Sequence, residues 1–225
     1  MIARIAAIIF IYVCTTIAWM ILGATIHHRS TTADGSLRGQ VATTWGSSQS
    51  QHAPSATYTV ERKMPVVTVE NNKTVTREQT VADVYTIPLE SSDIQSAIDL
   101  DHRRKGLHWF STYKVAFDGT YQFRNNASKE VDIRFTLPYP ATQAIFDDVQ
   151  VTMNGQPVAF ENDKSGAMVT KSMKPGETAK VRWSYKSQGL DQWNYAFSTA
   201  EVSQVKDFKL AMKTNFRDID FAENT

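Results

Sequence analysis

Tyr113-Lys114-Val115-Ala116-Phe117-Asp118-Gly119-Thr120-Tyr121-Gln122-Phe123 is the stretch that decides the fold class of this chain. Its odd positions hold Tyr113, Val115, Phe117, Gly119, Tyr121 and Phe123, and its even positions hold Lys114, Ala116, Asp118, Thr120 and Gln122. Successive side chains of a strand point to opposite faces, so this pattern makes one aromatic face and one polar face. A half-buried antiparallel strand has that signature. Gly119, in the middle, predicts a bulge or a bend.

The same period continues on both sides. Downstream, Asn125-Asn126-Ala127-Ser128 reads as a turn, and Val131, Ile133, Phe135 and Leu137 then alternate with Asp132, Arg134 and Thr136. Pro138-Tyr139-Pro140 ends that strand, because proline cannot donate to a ladder. Val149, Val151 and Met153 lead into Asn154-Gly155, a strong hairpin signal, with Val158 and Phe160 beyond it. Pro175-Gly176 marks another turn, followed by Val181, Trp183 and Tyr185. Trp193 to Phe197, Phe208 to Met212 and the strand-like Phe216 to Phe221 complete this side. Upstream, Val66–Glu70 and Thr74–Gln79 flank an Asn-rich hairpin turn, and Val81–Pro88 and Ile94–Leu100 read as further strands. About ten short strands with Gly, Pro and Asn punctuation predict an all-β, β-sandwich-like antiparallel domain.

Before this domain runs Ile5 to Ile26, IAAIIFIYVCTTIAWMILGATI, which carries no charge. As a helix it spans roughly 33 Å, against a hydrocarbon core of about 30 Å. A secretory signal has a shorter apolar core and small residues before its cut, whereas Leu22 occupies such a position here. A core helix would have a polar face. The run therefore predicts one N-terminal transmembrane helix, with the lipid bilayer as a partner. Flanking charge hardly decides its orientation. The one cysteine, Cys14, lies inside this run, so the remainder has none, which suits an oxidising compartment without a disulfide scaffold. The expected organisation is a signal-anchor over 1–29, a flexible Ser/Thr/Gly/Gln-rich linker over 30–56 and the β-domain over 57–225. Within the linker Trp45 stands out, suited either to the headgroup level or to plugging into the domain.

The 225 residues carry a formal charge of +1, which gives no field pointing to nucleic acid. There is no nucleophile elbow, H-E-x-x-H, P-loop or dinucleotide fingerprint. His102 and His108 have no cysteine or carboxylate at ligand spacing, and Asp147-Asp148 is too few oxygens for a calcium cage. No catalytic residue, cofactor or metal is expected. One cluster is left: Arg103, Arg104 and Lys105, three adjacent cations before Gly106. It reads either as a solvated loop whose arginines pair with nearby carboxylates, or as a site for headgroups or an acidic partner loop. With Trp45, these are the candidate interaction residues.

The stretch Val41-Ala42-Thr43-Thr44-Trp45-Gly46-Ser47-Ser48-Gln49, running on to Pro54, resembles the juxtamembrane SWG-x-x-Q…P stretch of the inner-membrane CreD family. Arg103-Arg104-Lys105-Gly106-Leu107, followed by Tyr113, Phe117, Gly119 and Tyr121, is similar to that family's R-x-x-G…Y-x-x-x-F-x-G-x-F run. The resemblance implies a bacterial inner-membrane protein, its C-terminal domain in the periplasm, connected with envelope integrity or stress. It carries over no catalytic residue. Family members continue into further membrane helices, so this chain is expected to be the front part of such a protein.

Together these readings predict a membrane-anchored periplasmic binding or scaffold domain, with other membrane or periplasmic proteins as further partners. The alternative is a carbohydrate- or peptidoglycan-acting enzyme, with Trp109, Trp183 and Trp193 stacking on sugars. At least two of those three tryptophans are expected in the core, given their place in the alternation. A third reading is a subunit that pairs through a sheet edge with a multi-helix partner.

Overall fold

A computed structural model of the chain describes residues 2–70, 73–142, 144–164, 166–197 and 206–217. Among them one helix, α1 (Ile2–Trp45), precedes thirteen strands: β1 (Gln49–His52), β2 (Ser55–Glu70), β3 (Lys73–Ile87), β4 (Leu89–Lys105), β5 (His108–Arg124), β6 (Val131–Pro138), β7 (Phe146–Met153), β8 (Gln156–Pro157), β9 (Glu161–Asn162), β10 (Gly166–Met173), β11 (Thr178–Leu190), β12 (Trp193–Ala196) and β13 (Phe208–Thr214). The chain is thus an all-β body behind one long apolar helix, as its alternation predicts.

Strand β5 carries the deciding stretch and lies at the centre of a six-stranded sheet ordered β13-β4-β5-β11-β7-β8. A second sheet of five strands is ordered β3-β2-β6-β10-β9, and β1 pairs with β12 in a short parallel ribbon. Tyr113, Val115, Phe117, Tyr121 and Phe123 of β5 are buried together with Val181, Trp183 and Tyr185 of β11. Ile133, Phe135 and Leu137 of β6 join the same core from the other sheet. Phe123 and Phe135 meet edge-on, with ring centroids 5.5 Å apart, which fits two sheets packed face to face.

Several expectations change in detail. Gly119 causes no bulge, since it pairs in regular register with Ile94 on one side and Trp183 on the other. A Cβ there would lie 2.7 Å from the ring of Tyr121, so the glycine leaves room for that ring. Strand β10 carries too little apolar contrast for its alternation to stand out, yet Ala167, Val169 and Met173 are buried. Val158 and Phe160 fall outside the strands, although both pack against the core. Phe216 also lies outside the strands, and 218–221 fall outside the described residues. The hairpin β2–β3 closes in the register Glu70↔Lys73, with Asn71 and Asn72 outside the described residues.

The largest correction concerns the expected linker. Helix α1 runs 44 residues without a break, so 30–45 is helix, and 49–56 contributes β1 and the start of β2. Ser, Thr and Gly are weak helix formers, which is why composition pointed to coil. Here Thr31, Thr32, Thr43 and Thr44 donate their hydroxyls to carbonyls three or four residues back, inside the helix. The decisive contribution is tertiary: Leu37, Val41, Ala42 and Trp45 pack against Phe110 of β5 and Leu190 of β11.

Candidate interaction site at the helix–domain junction

Leu37, Val41 and Trp45 recur every four residues, so they line one stripe of α1. That stripe meets the end of the six-stranded sheet where β4 turns into β5. The two strands form a hairpin whose last pairs are Arg103↔Phe110, Arg104↔Trp109 and Lys105↔His108. Gly106 makes the turn with φ +63°, a conformation L side chains rarely adopt. The three cations therefore sit on a strand end and not in a loop.

Of the residues singled out from sequence, the structure brings two together. The Arg103 guanidinium lies 3.8 Å from the centroid of the Trp45 ring, a cation–π contact. Arg103 also donates to the Asp101 carboxylate at 2.8 Å. Arg104 turns back and donates to the Gly106 carbonyl at 3.0 Å. Among the described residues Lys105 makes no ion pair. Arg103 is thus taken up between Trp45 and Asp101, while Arg104 is exposed and Lys105 half-exposed at the tip.

Sequence reasoning missed the other half of the junction. Arg38 bonds Asp191 and lies 3.9 Å from Asp34, and His108 Nδ1 approaches Asp34 at 3.4 Å. After Trp45, Gly46 adopts φ +93° and ends the helix. The chain then enters the domain. Gln49 is buried and donates to the Ser187 hydroxyl at 2.8 Å and the Gln188 carbonyl at 2.9 Å. Gln51 is buried too, and accepts from the Tyr185 hydroxyl at 2.7 Å. The Gln49-x-Gln51 alternation was the available signal, and it was masked by its polarity.

On the outer face of the six-stranded sheet, Asp118 is held by Arg182 at 2.9 and 2.5 Å, and Asp148 by Lys186 at 2.7 Å. These bonds push both basic groups up from their ordinary values. Burial pushes the hydroxyls of Tyr113, Tyr121 and Tyr185 up as well, away from neutral pH. Trp183 is buried and Trp193 packs on the core, leaving Trp109 as the exposed one of the three. Among the described residues no three His, Cys, Asp or Glu side chains converge as metal ligands would.

The family description that fits the chain is inner membrane protein CreD, matched over residues 1–216. The chain belongs to the CreD family. That match takes in α1, the junction and nearly all of the β-body, and α1 is the one described helix long and apolar enough to cross a membrane. This CreD chain is therefore a membrane-anchored inner-membrane protein. Among solved structures it is similar to a Legionella pneumophila protein named for nutrient binding, at 18% identity and a TM-score of 0.34. That likeness covers 45% of this CreD chain and 39% of the other, too little to carry an argument. No curated protein matches.

Proposed function

We propose that the chain is a periplasmic binding and scaffold domain, fixed to the inner membrane and acting in envelope integrity or stress without catalysis. One observation carries this reading: the membrane helix and the β-body are a single built unit. Val41 and Trp45 of α1 pack on Phe110 and Leu190, and Gln49 and Gln51 bind inside the sandwich. A catalytic domain needs only a tether, whereas a domain joined this way is held at a set height and angle above the bilayer. Charged groups on the open sheet face are neutralised in pairs, which suits recognition better than proton transfer. Membership of the CreD family supports the link to the envelope.

Two measurements test this with the full chain. Protease added to intact spheroplasts should digest the β-body, and digestion only after lysis would overturn the periplasmic side. Cells lacking the chain should be more sensitive to envelope stress, and both the full chain and its Asp118→Asn and Asp148→Asn variants should restore resistance. Hydrolytic turnover by the purified chain that vanishes in either variant would overturn the non-catalytic reading.

A further inference from the structure

The β4–β5 hairpin follows α1 back toward the apolar segment. Arg103 and Phe110 meet α1 at Trp45 and Val41, while His108, two residues nearer the turn, meets Asp34. The tip therefore points along the helix toward its membrane-spanning part. Asp34 stands eight positions beyond Ile26, the end of the apolar run, which is about 12 Å along a helix. Headgroups occupy roughly 5–8 Å outside the hydrocarbon on each side. Leu107, one residue beyond His108, lies closer still, within side-chain reach of that layer.

The tip has the chemistry of that layer. Leu107 and Trp109 are 85% and 67% exposed, the two most exposed large apolar side chains outside α1 among the described residues. From Arg104 to Trp109 the chain has two permanent cations and no carboxylate. Apolar and aromatic side chains next to Arg and Lys are what a membrane interface accepts, with rings at headgroup level and cations on phosphates. In a domain standing free of the bilayer these two side chains would be a hydrophobic liability.

We propose that this hairpin tip is a second contact of the domain with its own membrane, in which Leu107 and Trp109 enter the headgroup layer and Arg104 and Lys105 bind anionic lipid phosphates. It rests on α1 spanning the membrane, not on the scaffold role. With two points of contact, the domain is fixed against rotation about α1.

The test uses the full chain with Cys14→Ala, reconstituted in vesicles of phosphatidylcholine alone or mixed with phosphatidylglycerol. An environment-sensitive fluorophore is attached at Leu107→Cys or, as a control, at Ser128→Cys, an exposed site beyond the far end of β5. Flotation with the vesicles reports α1 insertion independently. In the mixed vesicles a lipid-borne quencher should quench the label at 107 and leave that at 128 bright. Arg104→Gln and Lys105→Gln should each lower the lipid-bound fraction of the tip about fivefold there. Equal, weak quenching at both sites in chains that float would overturn the contact. Strong quenching at 107 that ignores both the lipid charge and the two variants would overturn the phosphate assignment. Protection of the tip only in native membranes, and never in pure lipid, would give it to a protein partner and overturn the lipid assignment.

Discussion

At Gly189 a methyl group would sit 2.3 Å from the Tyr113 hydroxyl, and at Gly119 it would sit 2.7 Å from the Tyr121 ring. Gly189 makes room for a tyrosine of the paired strand β5, and Gly119 for one two residues further along its own strand. Gly189→Ala and Gly119→Ala should each destabilise the domain by about 1–3 kcal/mol, the usual cost of overpacking a core. Urea midpoints check this, and unchanged midpoints would show that the rings move aside freely. The same tyrosines set the alkaline limit. Burial raises the hydroxyls of Tyr113, Tyr121 and Tyr185, and takes Tyr195 to about 12, whereas an unfolded tyrosine ionises near pH 10. The folded chain keeps these protons longer than the unfolded one. Their contribution is complete below about pH 10 and is lost as pH rises through the folded-state values. Tyrosinate absorbance from this group should appear together with loss of β circular dichroism. A smooth titration near pH 10 in a folded domain would contradict it. At this scale the sequence marked Trp45 and Arg103 separately, and their contact was not legible because the two stand 58 positions apart in the chain.

At the scale of the element, α1 is where local propensity and tertiary context disagree. Gly35 and Gly39 lie in its exposed second half, with nothing within 4 Å of a Cβ built on either. Both are helical by packing and against propensity. Replacing each by alanine should stabilise this part of α1 by about 0.5–1 kcal/mol per site. Slower amide exchange across 30–45 is the expected readout, and faster exchange would mean that the helix needs those glycines to bend. The hairpin β2–β3 poses the opposite case. Its alternation and turn were legible, but among the described residues its pairing with the rest of its sheet is confined to Ser55–Thr57 against β6. A two-stranded ribbon is marginal alone. Amides of β2 and β3 beyond Val60 should exchange well before those of β5, and equal protection would show that something else covers the ribbon. Strand β10 was invisible for a different reason: its inward positions include Ala167, too small to mark a face.

For the whole molecule, the question is where the domain begins. A chain starting at Tyr58 loses β1 and with it the bonds from Gln49 to Ser187 and from Tyr185 to Gln51. Leaving Tyr185 buried without a partner costs about 1–3 kcal/mol. A chain starting at Ser47 keeps those bonds and should unfold at clearly higher temperature, while equal melting of the two would place β1 outside the folding unit. The two materials of this protein were legible from residue pattern alone, because each follows from side chains acting locally. An uncharged run of bilayer length must be a spanning helix, and period-two alternation over many short segments must be pleated sheet with one face hidden. Residue pattern could not show that helix and sheet are joined without a linker. That depends on Val41, Trp45, Phe110 and Leu190 meeting across long stretches of chain. Only their packing, which offsets the weak helix propensity of 30–45, holds that stretch as helix and lays the end of the β4–β5 hairpin against α1.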